Sequence, residues 1–158
     1  EYASEENGHG IFTSLLVEAL YGGAMNLLGE VSPGSIYSYI DRSLGAWDEQ
    51  RPLFKANISS FVSLRKNAPP IPIAELRQIT EIFTSQYDEY PLDKHEADVK
   101  DVNKEHEAIF ATLQRFVKLN LVIPVEEEHM YYAAIHHKSC KLTAQGQHYW
   151  QLVNKNTI

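Results

Sequence analysis

Lys66-Asn67-Ala68-Pro69-Pro70-Ile71-Pro72 is the stretch that decides how this chain is organised. Three prolines in four residues fix extended backbone and remove amide donors, so neither a helix nor a central strand can pass through. The chain therefore divides into residues 1–68, a Pro-rich linker at 69–72, and a second module at 73–158.

Upstream of the break, Phe12, Leu15, Leu16, Ala19 and Leu20 recur at helical spacing, predicting an amphipathic helix over Gly10–Leu20 that Gly22-Gly23 stops. Ser32-Pro33 supplies an N-cap and a first-turn proline for a second helix. Its apolar stripe is Ile36, Tyr39, Ile40 and Leu44, and Gly45 terminates it. Pro52–Ala56 and Phe61–Leu64 read as short strands. Downstream, Ile73, Leu76, Ile79 and Phe83 predict one helix over 73–86, followed by an acidic loop over 87–102. A helix capped by Asn103 runs to about Leu119. Strands at Leu121–Ile123 and Met130–Ala134 flank the acidic turn Glu126-Glu127-Glu128, and a last helix follows Leu142-Thr143.

The 158 residues are 44% hydrophobic, enough to fill a core, and carry a net charge of -7, which argues against nucleic acid or anionic membranes as partners. No apolar run approaches the roughly 20 residues of a membrane-spanning helix. A lone cysteine, Cys140, excludes an intrachain disulfide framework and fits a reducing, cytoplasmic compartment. The opening on Glu1 rather than Met, just before a strong helix, is what a processed or truncated piece of a longer protein would show.

Gly8-His9-Gly10-Ile11-Phe12-Thr13, running into Leu15-Leu16-Val17-Glu18-Ala19-Leu20, resembles a segment of bacterial caspase-like cysteine peptidases, where it opens the helix after the substrate-pocket strand. Tyr2-Ala3-Ser4-Glu5 before it, Val31-Ser32 with Ile36-Tyr37, and Gln50-Arg51-Pro52 extend the likeness over residues 1–68. The resemblance implies an α/β caspase–hemoglobinase-type sandwich fragment, with helices on both faces of a mostly parallel sheet. It also implies peptide hydrolysis by a Cys–His dyad, the histidine activating a thiolate. The family's dyad motifs have no counterpart here, so a large subunit would bring them. This chain would contribute a substrate-pocket wall at Ala3, Ser4, Glu5 and Glu6. Glu5 and Glu6 suit a pocket for arginine or lysine before the cleaved bond, although solvated loop charges are the more ordinary reading of two such glutamates. Bacterial relatives act in signalling or antiphage defence, with a protein or peptide substrate.

The second module, ending in a helix that opens Leu142-Thr143-x-x-Gly146, resembles a winged helix, a small α+β fold. Its wing tip would be Glu126-Glu127-Glu128 and its recognition helix offers mainly Arg115 and Lys118, so protein docking or regulation fits better than DNA reading. The remaining candidate chemistry is sparse. His9 with Cys140 spans both modules and reads as structural. His129, His136, His137, Cys140 and His148 lack zinc-site spacing, and no cofactor is expected. Tyr131, Tyr132, Tyr149 and Trp150 read as core aromatics rather than a stacking platform. Two rival readings are a winged-helix DNA-binding regulator and a catalytically dead caspase-like scaffold.

Overall fold

A computed structural model describes residues 5–6, 9–45, 52–93 and 104–158, with backbone alone at 5, 6, 9, 104 and 105. The chain is mixed α/β and divides into two compact units, Glu1–Pro72 and Ile73–Ile158. Among the described residues no helix is long and apolar enough to cross a membrane.

In unit 1 a short hairpin, β1 (Glu5–Glu6) against β2 (His9–Gly10), leads directly into helix α1 (Ile11–Glu18). The helix loosens into a π-helical turn over Ala19–Gly23, where Gly22 takes φ 123° and ends the run. Strand β3 (Glu30–Val31) pairs antiparallel with β4 (Arg65–Lys66). Helix α2 (Pro33–Leu44) starts on a capping box: Ser32 Oγ accepts from Ser35 N at 3.2 Å and Ser35 Oγ accepts from Ser32 N at 3.0 Å. Gly45, at φ 69°, closes it. Ile36 and Ile40, four apart on α2, bury against Ala19, Ala24 and Val31, with Leu15, Leu16, Leu20 and Tyr39 packed round them. Phe12, by contrast, stands outside this cluster and is exposed.

The mostly parallel sheet implied for this unit is not among the described strand pairs, both of which are antiparallel. The strands expected at Pro52–Ala56 and Phe61–Leu64 do not form. An extended segment becomes a strand only where a partner strand satisfies its amides. Here the ladder to Val31 begins at Leu64, whose N donates to Val31 O at 2.8 Å.

In unit 2 the expected single helix over 73–86 is two short ones, α3 (Ile73–Arg77) and α4 (Ile79–Ile82). Gln78 breaks the ladder by donating to Glu75 O, three residues back, and Phe83 is already extended. The acidic stretch expected as loop contains a strand, β5 (Glu89–Pro91). Helix α5 (Lys104–Lys118), strand β6 (Val122–Pro124), helix α6 (Met130–Ile135), strand β7 (Ser139–Leu142) and helix α7 (Ala144–Asn154) follow. The sheet is antiparallel in the order β5-β7-β6. Pro91 and Pro124 thus sit on the edge strands, where a missing amide is tolerated, and central β7 carries no proline.

Met130–Ala134, expected as a strand, is helical. Met130, Ala133 and Ala134 fall at helical spacing and are buried, and Ala133 N donates to His129 O at 3.0 Å. So short an apolar run satisfies both periods, and burial decided between them. Leu76 and Ile79 from α3 and α4, Phe83 just after them, Leu113 and Phe116 from α5, and Cys140 and Leu142 from β7 belong to the core. Each large side chain so buried contributes about 1.5–3 kcal/mol.

Thr143 joins the last strand to the last helix. Its Oγ1 caps α7 by accepting from Gly146 N at 3.0 Å and donates to Asn120 O at 2.6 Å, while Thr143 N donates to Leu121 O at 2.9 Å. Gly146 is buried with its α-carbon against Leu121, where a Cβ would meet the Leu121 carbonyl oxygen at 2.0 Å. The Leu-Thr-x-x-Gly step is thus a cap plus a close approach of helix to strand. Trp150 Nε1 donates to Phe83 O at 2.7 Å, tying α7 to the end of α4.

Candidate functional site

The pocket residues expected from sequence lie at the edge of what is described. Ala3 and Ser4 fall outside the described residues, as do the side chains of Glu5 and Glu6. The backbone of Glu5 and Glu6 forms β1, in register with Gly10 and His9, so this stretch is held as a hairpin arm directly before α1.

Beyond that hairpin, unit 1 presents a band of uncovered apolar side chains on segment 52–64. Leu53 is 92% exposed and Val62 70%, and Ile58, Phe61 and Leu64 are also exposed. The band is anchored rather than loose. Phe54 stacks on Tyr37 of α2 with ring centroids 5.1 Å apart, and Phe61 lies 5.9 Å from Phe54. The Phe61 ring also sits so close to Gly34 that a Cβ there would be 2.8 Å from it. Aromatic contacts thus fix the segment on α2 while its aliphatic side chains face solvent, an arrangement that costs hydration free energy unless another surface covers it.

Unit 2 holds a groove of about 370 Å³ between α4, β5 and α5. Gln78, Glu81 and Ile82 line one wall, Tyr90 the second, and Ala108, Ile109 and Thr112 the third. Buried Thr112 donates its hydroxyl to Gln78 Oε1 at 3.2 Å, locking the two walls together at one end. The Tyr90 ring meets buried Phe83 at 6.3 Å, near edge-on. Only the i, i+4 pairs Gln78/Ile82 and Ala108/Thr112 hint at this groove in the sequence, since nothing local says that the two helices face each other.

The residues considered for nucleophilic or metal chemistry go to other uses. Cys140 is fully buried in central strand β7. His136 Nδ1 lies 2.7 Å from Glu127 Oε1 and His137 Nδ1 lies 3.5 Å from Asp93 Oδ1, so each imidazole meets its own carboxylate. Among the described residues no three His, Cys, Asp or Glu side chains converge as a metal site would require. The acidic turn is partly neutralised from within: Lys138 Nζ donates to Glu126 Oε2 at 2.5 Å. That hydrogen bond, and then the opposite charge of the partner, holds the Glu126 carboxyl below its ordinary range and the Lys138 ammonium above its own. Tyr131 and Tyr132, expected as core, are about half exposed on α6, with Tyr132 ringed by His129 and His136. Tyr149 is buried, as expected of a core aromatic.

Comparison of the chain with protein-family models, with curated proteins and with solved structures found no match.

Proposed function

We propose that residues 1–68 are the C-terminal, small-subunit part of a caspase-like cysteine endopeptidase and that residues 73–158 are a winged-helix-like docking or regulatory module. The observation that carries the first half is the apolar band on segment 52–64. A unit that anchors Phe54 and Phe61 on α2 yet leaves Leu53 and Val62 in solvent suits a piece of a larger core, completed by another surface. The hairpin arm at Glu5–Gly10 feeding α1 suits a pocket wall placed beside a dyad that a large subunit brings. In that assembly the dyad cysteine attacks the scissile carbonyl and its histidine manages the proton. Glu5 and Glu6 favour a basic residue before the cleaved bond, and the enzyme works in the cytoplasm, in signalling or antiphage defence.

For the second half, the support is a three-stranded antiparallel sheet with its last strand in the middle, backed by helices. Arg115, one of the two basic residues of α5's last turn, is engaged with Glu75 at 2.5 Å, which leaves little positive charge for a DNA backbone.

The test is assembly. Co-expression with the preceding portion of the protein should give a stable complex that cleaves fluorogenic arginine or lysine peptides, while this chain alone cleaves none. Leu53→Asp with Val62→Asp should weaken the complex without unfolding unit 1. A preference for aspartate sinks the pocket assignment. An upstream portion lacking the cysteine or histidine leaves a scaffold. A mobility shift of DNA that survives moderate salt makes the chain a regulator.

A further inference from the structure

The groove of unit 2 has a composition that selects its occupant. Ile82, Ala108 and Ile109 supply an apolar lining, Tyr90 an aromatic wall, and exposed Glu81 a carboxylate. Among the described residues Glu81 enters no ion pair, unlike Glu75 three positions short of Gln78, which holds Arg115. An apolar slot bordered by one unmatched anion and one aromatic ring suits a cation on an aliphatic stem. The methylenes lie on the isoleucines while the charged head reaches the carboxylate and the ring. Gln78 adds a backbone-binding group. Its Oε1 is taken by the Thr112 hydroxyl, and among the described residues its amide nitrogen has no acceptor, so it can donate to a peptide carbonyl. The volume, about 370 Å³, is at the lower end of ligand clefts, with room for one basic side chain and the backbone that carries it.

We propose that this groove docks a lysine or arginine side chain presented by an extended segment of a partner protein. The assignment rests on unit 2 alone and stands or falls independently of the peptidase reading of unit 1.

The experiment titrates the isotope-labelled full chain, at moderate salt, with the capped tripeptides Ac-Ala-Arg-Ala-NH2 and Ac-Ala-Lys-Ala-NH2. The uncharged citrulline analogue and the free amine agmatine serve as comparisons. Amides of 78–82 and 108–112 should shift with the two basic peptides and at least about fivefold less tightly with citrulline. Glu81→Gln should weaken the arginine peptide by about fivefold. Ala108→Trp, which fills the slot from an exposed helix position, should abolish binding, and Glu128→Gln at the acidic turn should change nothing. Equal binding of the arginine and citrulline peptides, or an unaffected Glu81→Gln variant, overturns the proposal. Agmatine binding as tightly as the peptide overturns the peptide assignment. Shifts centred on residues 126–128 would show mere attraction of a cation to acid and overturn it as well.

Discussion

Replacing Gly146 with alanine sets two effects of opposite sign against each other. Gly146 is the third residue of α7, and alanine in a helix is preferred over glycine by up to about 1 kcal/mol. Against this, the new Cβ would stand 2.0 Å from the Leu121 carbonyl oxygen and 2.9 Å from its carbon, inside the 3.0 Å that real Cβ contacts respect. The obstacle is backbone, which cannot rotate aside as a side chain does. The start of α7 must therefore withdraw from the sheet by roughly an ångström. The bonds that cross that junction include Thr143 N to Leu121 O at 2.9 Å and Thr143 Oγ1 to Asn120 O at 2.6 Å. Stretching them costs about 0.5–1.5 kcal/mol each, and overpacking about 1–3 kcal/mol. After the helix gain is subtracted, the expected loss is about 3 kcal/mol, or about 15 °C in the midpoint for a unit of this size. Thermal unfolding is to be followed by Trp150 fluorescence in a Trp47→Phe background. Trp150 reports on unit 2 because its indole is bonded to Phe83 O. An unchanged or raised midpoint would mean that helix propensity outweighs the helix–strand approach, and would refute the reasoning.

Three further outcomes are expected. Gly29→Ala forces alanine into φ +79° with its Cβ 2.2 Å from Asn67 O, so unit 1 should lose about 2 kcal/mol or more, seen as faster hydrogen exchange at Leu64 and Asn67; unchanged exchange would contradict the close approach. The Tyr39 hydroxyl donates to Glu18 Oε2 at 3.1 Å, which raises its pKa above 10.0. This α1–α2 tie is therefore fully present below pH 10.0 and is lost as pH rises through the folded pKa, and Glu18→Gln should bring the labelled Tyr39 titration back toward 10.0. Cys140, with no exposed surface, should alkylate with iodoacetamide at least about 100-fold more slowly in the native chain than in urea, and rapid native labelling would place it elsewhere.

Legibility from sequence followed the range of the forces involved. Helix ends set by a cap or a glycine could be read directly, because a cap joins a side chain to a backbone group three residues away: Ser32-Pro33 and Gly45 bound α2, and Thr143 starts α7. Apart from the helix over 73–86, which a local bond from Gln78 to Glu75 breaks in two, the assignments that failed needed a distant partner. Pro52–Ser63 has strand-like residues but pairs with no strand among the described residues, Glu89–Pro91 is polar yet pairs with Ser139–Lys141, and Met130–Ala134 became helical because that packing buries Met130, Ala133 and Ala134.

The sequence by itself determined the capped and glycine-closed ends of α2 and the start of α7, the acidic charge and the absence of a disulfide framework, since these depend on composition and on neighbours along the chain. The tertiary structure alone decided that Cys140 is sealed inside β7 and that Gly146 lets a helix touch a strand. It alone brought Gln78, Glu81 and Tyr90 to face Ile109 and Thr112 across one groove. The pairs across the groove and at Gly146 lie 19 to 34 positions apart, and only the packing of a shared core brings such positions together.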